Sequence, residues 1–388
     1  MKILLYLGLV PLYLFSMEHK SNISFNYINY NNFSNESLIS GDTKLTYTND
    51  NFEVVSNIEY LYSDKYLEKR HISLNEFYIS KDYDEYSFTF GKIIKFNGEL
   101  EGYNITDIFN QKNYLADPFD KSKKIGSWSF ISTKYFDDDS LELAIKFHEE
   151  DVKYPSYNSP YFPFSSNYDE NLKLSNSQYK PTISLQYNFS SNEDIQSETK
   201  LILIKGYDNK RYFIPNNLST LNQYAYEVNK FLVLSNILYE DYIFKFESSY
   251  TDIVDDKNIA NYSQISLGFE KSFYDIKDID LTFYSEYYKY IYVQNNKIQN
   301  VDIGEIYNND IFLAFRLNFN DTQSSELKSG ILYDLSNYER VYKVELKSRI
   351  KDNLVLNIEL LDISSKENTV LTYIGNHTRA MVGLTYTF

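Results

Sequence analysis

Cysteine is absent from this 388-residue chain, which excludes disulfides, thiolate metal sites and cysteine nucleophiles. Long apolar runs are missing after residue 16. A polytopic helical membrane protein is excluded with them, because each helical span needs roughly 20 apolar residues. Positive charge is outnumbered, 38 Lys and Arg against 54 Asp and Glu, and a net charge of −16 argues against nucleic acid, whose phosphates demand a basic face. There is no phosphate-binding glycine-rich loop and no helical zinc-protease motif. The four histidines, His19, His71, His148 and His377, stand far apart. No short internal repeat of the β-helix kind is visible, and no cofactor motif is present.

What the chain has in quantity is aromatic: 40 tyrosines and 27 phenylalanines. They fall in segments with a period of two, the pattern of strands with two different faces. Ile183, Leu185, Tyr187 and Phe189 alternate with Thr182, Ser184, Gln186 and Asn188. Tyr342, Val344, Leu346 and Ile350 alternate with Lys343, Glu345, Lys347 and Arg349. A helix would scatter these charges around its cylinder.

The alternation predicts about 18 strands, with about 16 as the other count. They lie near residues 22–30, 42–48, 52–62, 71–80, 86–92, 127–136, 140–148, 181–189 and 195–206. The second half continues at 224–237, 241–251, 260–272, 278–291, 308–319, 324–334, 338–350, 353–363 and 377–388. Breaks after even-numbered strands are short and turn-like, such as Asp137-Asp138-Asp139 and Lys351-Asp352. Breaks after odd-numbered strands are mostly long: 31–41, 93–126, 149–180, 207–223, 292–307 and 364–376. Short turns at one rim and long loops at the other predict an all-β fold, a transmembrane antiparallel β-barrel. Closure removes the edges that such aromatic strands would expose to aggregation. A β-sandwich, the soluble alternative, rarely alternates short and long connections so regularly.

Both ends fit export to a membrane. Lys2 precedes an apolar stretch from Ile3 to Phe15, which reads as a signal peptide over 1–16, with the barrel over 17–388. A buried N-terminal helix or strand is the alternative. At the other end, Val382, Leu384, Tyr386 and Phe388 share one strand face. This ending resembles the C-terminal assembly signal of Gram-negative outer-membrane β-barrels, polar-x-Gly-x-x-aromatic-x-aromatic. Gly383, Tyr386 and Phe388 match it, and Met381 stands at the polar position. The resemblance implies an outer-membrane location, contact with outer-membrane lipid and lipopolysaccharide, and recognition by the barrel-assembly machinery. Both a monomer and a homotrimer are compatible with it.

The break at 93–126 occupies the place in the strand order where the loop of general porins folds inward and narrows the channel. Glu99, Glu101, Asp107, Lys121, Lys123 and Lys124 are its candidate constriction residues, because mixed charge facing a lumen selects solutes by size, charge and dipole. A solvated external loop is the alternative. Gly91-Lys92 and Asn104-Ile-Thr-Asp107-Ile-Phe-Asn110 are also similar to a segment of large outer-membrane barrels that include relatives of polysaccharide-export porins. Ile105 and Gln111 replace its two prolines, and Phe96 replaces its tryptophan. That similarity implies the barrel class without naming a substrate.

By parity with their apolar neighbours, Arg316, Lys328, Lys343, Lys347, Arg349 and Arg379 should face the lumen, accompanied by Glu326, Glu345 and Glu359. A basic wall opposite an acidic constriction would bias ion selectivity; cross-strand ion pairs that merely hydrate a polar lumen are the alternative. The break at 149–180 carries Tyr154-Pro-Ser-Tyr157 and Tyr161-Phe-Pro-Phe164, suited to stacking on sugars or to packing that stiffens the loop. The expected protein is a porin-like, non-enzymatic channel for passive diffusion of small hydrophilic solutes. The alternatives are a substrate-specific channel for oligosaccharides or organic anions, a surface-binding barrel with a closed lumen, and a membrane-embedded hydrolase using His71 or His148.

Overall fold

The structure is a computed structural model and describes residues 17–388, leaving out 116, 165–166, 193–194, 218–219, 294–305, 367–368, 370, 372–373 and 375–376. The predicted signal peptide at 1–16 lies outside the described residues. The first strands are β1 (Met17–Tyr30), β2 (Glu36–Thr48), β3 (Glu53–Ser63), β4 (His71–Asp82), β5 (Tyr86–Ile93), β6 (Ser127–Phe136) and β7 (Asp139–Lys146). Next come β8 (Asn167–Leu174), β9 (Thr182–Asn192), β10 (Gln196–Tyr207), β11 (Tyr212–Asn217), β12 (Thr220–Ala225), β13 (Glu227–Tyr239) and β14 (Tyr242–Ile253). The last are β15 (Tyr262–Phe273), β16 (Asp280–Tyr292), β17 (Asn309–Asn318), β18 (Glu326–Asp334), β19 (Arg340–Lys351), β20 (Leu354–Ser364) and β21 (Thr378–Thr387).

Eighteen of these strands form one antiparallel sheet in which each pairs with the next. Strand β21 pairs with β1, setting Asn22 opposite Thr387 and Tyr30 opposite Arg379, so the sheet closes into a barrel. The other three, β8, β11 and β12, make a small separate sheet inside the long connections, with β12 parallel to β8 and antiparallel to β11. The sequence pattern missed it because these strands are short and do not alternate. It also started β2 late: the break expected at 31–41 shrinks to 31–35, because Glu36 to Gly41 already pair with β1.

The two faces separate as the alternation requires. Ile183, Leu185, Tyr187 and Phe189 are exposed on the outside, whereas Thr182, Ser184 and Gln186 are buried within. Exposed Ile, Leu, Phe and Tyr recur on strand after strand, among them Phe25, Phe77, Phe244, Leu267 and Leu384. Water-soluble monomers rarely present so continuous an apolar surface, and a lipid phase is the medium that fits it. Backbone polar groups meet their partners across the ladders, as a hydrocarbon environment demands. Connections at one rim are brief, such as 137–138, 240–241 and 352–353, while those at the other include 94–126 and 147–181. The first described residue, Met17, and the last, Phe388, lie toward the short-turn rim, where the Phe388 amide donates to the Ser21 carbonyl at 2.9 Å.

Candidate functional site in the lumen

Residues 94–126 leave β5 and run across the inside of the barrel. Lys95 bonds Glu142 on β7 and reaches Gln186 on β9 at 2.9 Å. The Glu99 carboxylate accepts from Asn236 on β13 at 3.1 Å and lies 3.9 Å from Lys200 on β10. On the far side, Asp117 accepts from Arg379 on β21 at 2.8 Å, and Lys123 meets Glu59 on β3 at 2.5 Å. One segment thus touches strands on opposite walls.

The similarity motif forms the internal brace of this segment. The Asn110 amide donates to the carbonyls of Ile93 and Ile125 at 2.9 and 3.1 Å, tying together the outgoing and returning chain. Asn104 accepts from the Leu100 amide at 2.8 Å. Asp107 accepts from the Asn97 amide at 3.1 Å, pairs with Lys124, and lies 3.8 Å from Lys112. Asp107 and Lys124 are therefore buried in the brace, away from the open lumen. Burial pushes the Lys124 ammonium down to about 8 even with Asp107 beside it. Lys121 remains half exposed, 4.0 Å from Glu101, and burial lowers its affinity for a proton as well.

The facing wall carries the predicted bases. In the register of β17 to β20, Arg316 stands opposite Lys328, Lys328 opposite Glu345, and Glu345 opposite Glu359. Lys328 is compensated by Glu326 at 3.5 Å, and Lys343 by Glu345 at 2.9 Å and Glu359 at 3.3 Å. Arg379 is buried between Asp117 and Glu359. Burial would push the Asp117 carboxyl up, but Arg379 and Lys343 hold it below its ordinary range. Arg349 sits at a short turn, donating to the Ser324 hydroxyl at 2.8 Å, and Lys347 is exposed on the lumen side of β19.

Arg316 differs from its neighbours. Its guanidinium lies 5.4 Å from the centre of the Tyr284 ring, its Nε has no hydrogen-bond partner, and among the described residues no carboxylate is within salt-bridge distance. Like charges set directly opposite on a sheet are destabilising. The Arg316–Lys328 juxtaposition breaks that rule beside a cavity of about 530 Å³. Lys121, Phe119 and Asp120 from the crossing segment line one side of it, and Arg316, Tyr284, Phe312 and Lys343 the other. A second cavity of about 380 Å³ shares Lys328, Glu345 and Glu359 with the first and adds Ser24, Lys347 and Thr385 nearer the short-turn rim.

Toward the long-loop rim, the aromatic connection packs inward. Tyr154 and Tyr161 join Val152, Leu371 and Ile374 in one apolar cluster with the wall residues Leu332, Val341 and Leu361. Tyr161 lies edge-on to Phe119 at 5.8 Å and under Arg379 at 5.6 Å. The histidines occupy separate places: His71 bonds the Glu68 carbonyl at 3.2 Å, His148 lies 3.4 Å from Glu150, His377 packs on Phe33, and His19 contacts Ser21. In the final strand Tyr386 and Phe388 are exposed on the outer face, and Gly383 faces Asn26 across the β1 seam.

Sequence parity could not show which of these charges find partners. It also missed Glu247 and Glu286, two wall carboxylates buried beneath the crossing segment. Their inward parity was visible, but their partners are loop amides, which leave no mark in side-chain identity.

No family model matches the chain, and no curated protein matches it in sequence. Solved structures match its fold. A BenF-like porin from Pseudomonas fluorescens has a TM-score of 0.59 at 8% identity, over 97% of this chain and 99% of that one. OccK10 (OpdN) of Pseudomonas aeruginosa gives 0.57 at 9% identity, over 96% and 99%. OpdK of Pseudomonas aeruginosa, solved with vanillate, gives 0.54 at 8% identity, over 96% and 98%. The fold of this chain is that of the outer-membrane porins.

Proposed function

We propose that this chain is an outer-membrane channel that lets small hydrophilic solutes diffuse along the wall formed by β16 to β21, with a preference for organic anions. The observation that carries the reading is Arg316, a base with no carboxylate partner among the described residues, set against Lys328 at the edge of the larger cavity. An anion arriving there would supply the partner that the Arg316 guanidinium lacks among the described residues. Tyr284 and Phe312 offer an apolar surface for the rest of the solute. Lys121, Glu101 and the 117–122 tip would set the width, with Glu99 and Lys123 fixing the segment to the wall and Asp107 and Lys124 stiffening it. Lys343, Lys347, Arg349 and Arg379 would contribute less to selectivity, because three of them are engaged by carboxylates or a hydroxyl and Lys347 lies nearer the short-turn rim.

The porin fold supports placement in the outer membrane, with lipid and lipopolysaccharide around the barrel and the short turns in the periplasm. Gly383, Tyr386 and Phe388 would then be available to the assembly machinery. Reversal potentials in a planar bilayer test the selectivity: anion preference that survives Arg316→Gln unchanged rules out the assigned role. A second reading, a surface-binding barrel with a closed lumen, is favoured by the apolar cluster around Tyr154 and Tyr161 at the long-loop end. Absence of conductance would select it.

A further inference from the structure

We infer that Glu247, Gly268 and Glu286, on three adjacent strands, form a dock that holds residues 99–106 across the lumen and so sets the width of the passage. This rests on the channel reading for its consequence, though not for its geometry. Glu247 on β14 accepts from the Glu99 amide at 2.9 Å with one oxygen and from the Thr106 amide at 3.1 Å with the other. Glu286 on β16 does the same for Glu101 at 2.6 Å and Gly102 at 2.9 Å. The Tyr288 hydroxyl donates to Glu286 and accepts from the Tyr103 amide at 3.0 Å.

Between the two carboxylates, β15 presents Gly268. A Cβ there would come within 2.5 Å of Leu100 Cδ2, so the missing side chain makes the space that Leu100 fills. Gly102 also approaches the wall closely, with the Tyr288 hydroxyl 2.9 Å from where its Cβ would be. Lys121 closes over the segment from the lumen side, donating to the Leu100 carbonyl at 2.5 Å.

Both carboxylates are almost fully buried, and their hydrogen bonds come from neutral donors. A buried carboxyl group stripped of its hydrogen bonds is heavily penalised. The segment and the wall therefore need each other. The four donors are backbone amides, so the hydrogen-bonded part of the dock reads the path of the chain, while Leu100 and Gly102 supply the side-chain fit. A carboxamide in place of either glutamate would set an N–H against an N–H and release one strap.

Glu247→Gln/Glu286→Gln, made together, should raise single-channel conductance and abolish the size cut-off in liposome swelling with graded sugars, while heat-modifiable migration shows an intact barrel. The chain has no cysteine, so L100C/G268C gives an unambiguous reporter of loop position. It should cross-link readily alone, poorly in the double-Gln background, and the cross-link once formed should restore the wild-type cut-off there. Wild-type conductance, cut-off and cross-linking in the folded double-Gln protein overturn the dock. If that protein does not fold, cross-linking of L100C/G268C in the otherwise unchanged chain decides: failure to cross-link overturns the proposed placement. A wild-type barrel that conducts nothing overturns the channel reading instead, and is distinguished by normal cross-linking.

Discussion

Arg379 donates to Asp117 at 2.8 Å, so the strand that closes the barrel also holds the tip of the segment that crosses its lumen. The same guanidinium is bonded to Glu359 and lies over the Tyr161 ring. Wall, crossing segment and aromatic connection therefore meet at one side chain. Arg379→Gln should destabilise the barrel by about 3 kcal/mol, the lower end for breaking a buried ion pair. It should also increase current noise, because the tip loses its anchor. Urea unfolding in lipid vesicles and single-channel recording check the two effects.

Replacing Arg316 tests the selectivity claim at its narrowest. Arg316→Gln should shift the reversal potential toward cations, whereas Arg349→Gln, at a short turn beside Ser324, should shift it little. Two equal shifts would mean that the wall acts only through its total charge.

The Lys124–Asp107 brace predicts a pH dependence. Burial lowers the Lys124 proton affinity from its ordinary 10.5 to about 8. Between those values the folded chain has released this proton and the unfolded chain still binds it, so stability rises with pH. The stability of wild type relative to Lys124→Met should therefore increase from pH 8 upward, as measured by urea unfolding at a series of pH values. A difference that stays flat or falls contradicts the buried brace.

Gly383 lies close against the Asn26 side chain across the seam. A Cβ at that position would stand 2.0 Å from Asn26 Oδ1, and overpacking of this kind costs about 1–3 kcal/mol. Gly383→Ala should lower stability, and Asn26→Ala should recover most of the loss. Deleting Phe388 should instead leave the folded barrel stable and lower its level in the outer membrane, separating an assembly role from a packing one.

Much of this architecture was legible because a barrel writes its faces directly into the sequence. Ile183 to Phe189 and Tyr342 to Ile350 alternate as lipid and lumen demand, and an even strand count brings Phe388 beside Ser21. The short β8, β11 and β12 were not legible, because they pair only with one another inside the long connections and carry no alternating face. Inward direction was readable for Arg316, Lys328 and Lys343, but compensation was not. Whether a base has a partner depends on register and on where 94–126 lies. Asp107 looked like a lumen charge for the same reason, since its partner Lys124 is seventeen positions on, across a fold of the loop.

Planar-bilayer recording of the purified wild-type barrel tests the central claim most directly. The predicted result is discrete, stepwise conductance with a reversal potential on the anion side, lost on Arg316→Gln. A correctly folded barrel that inserts and yields no steps contradicts a channel, and leaves the lumen closed by its own loops.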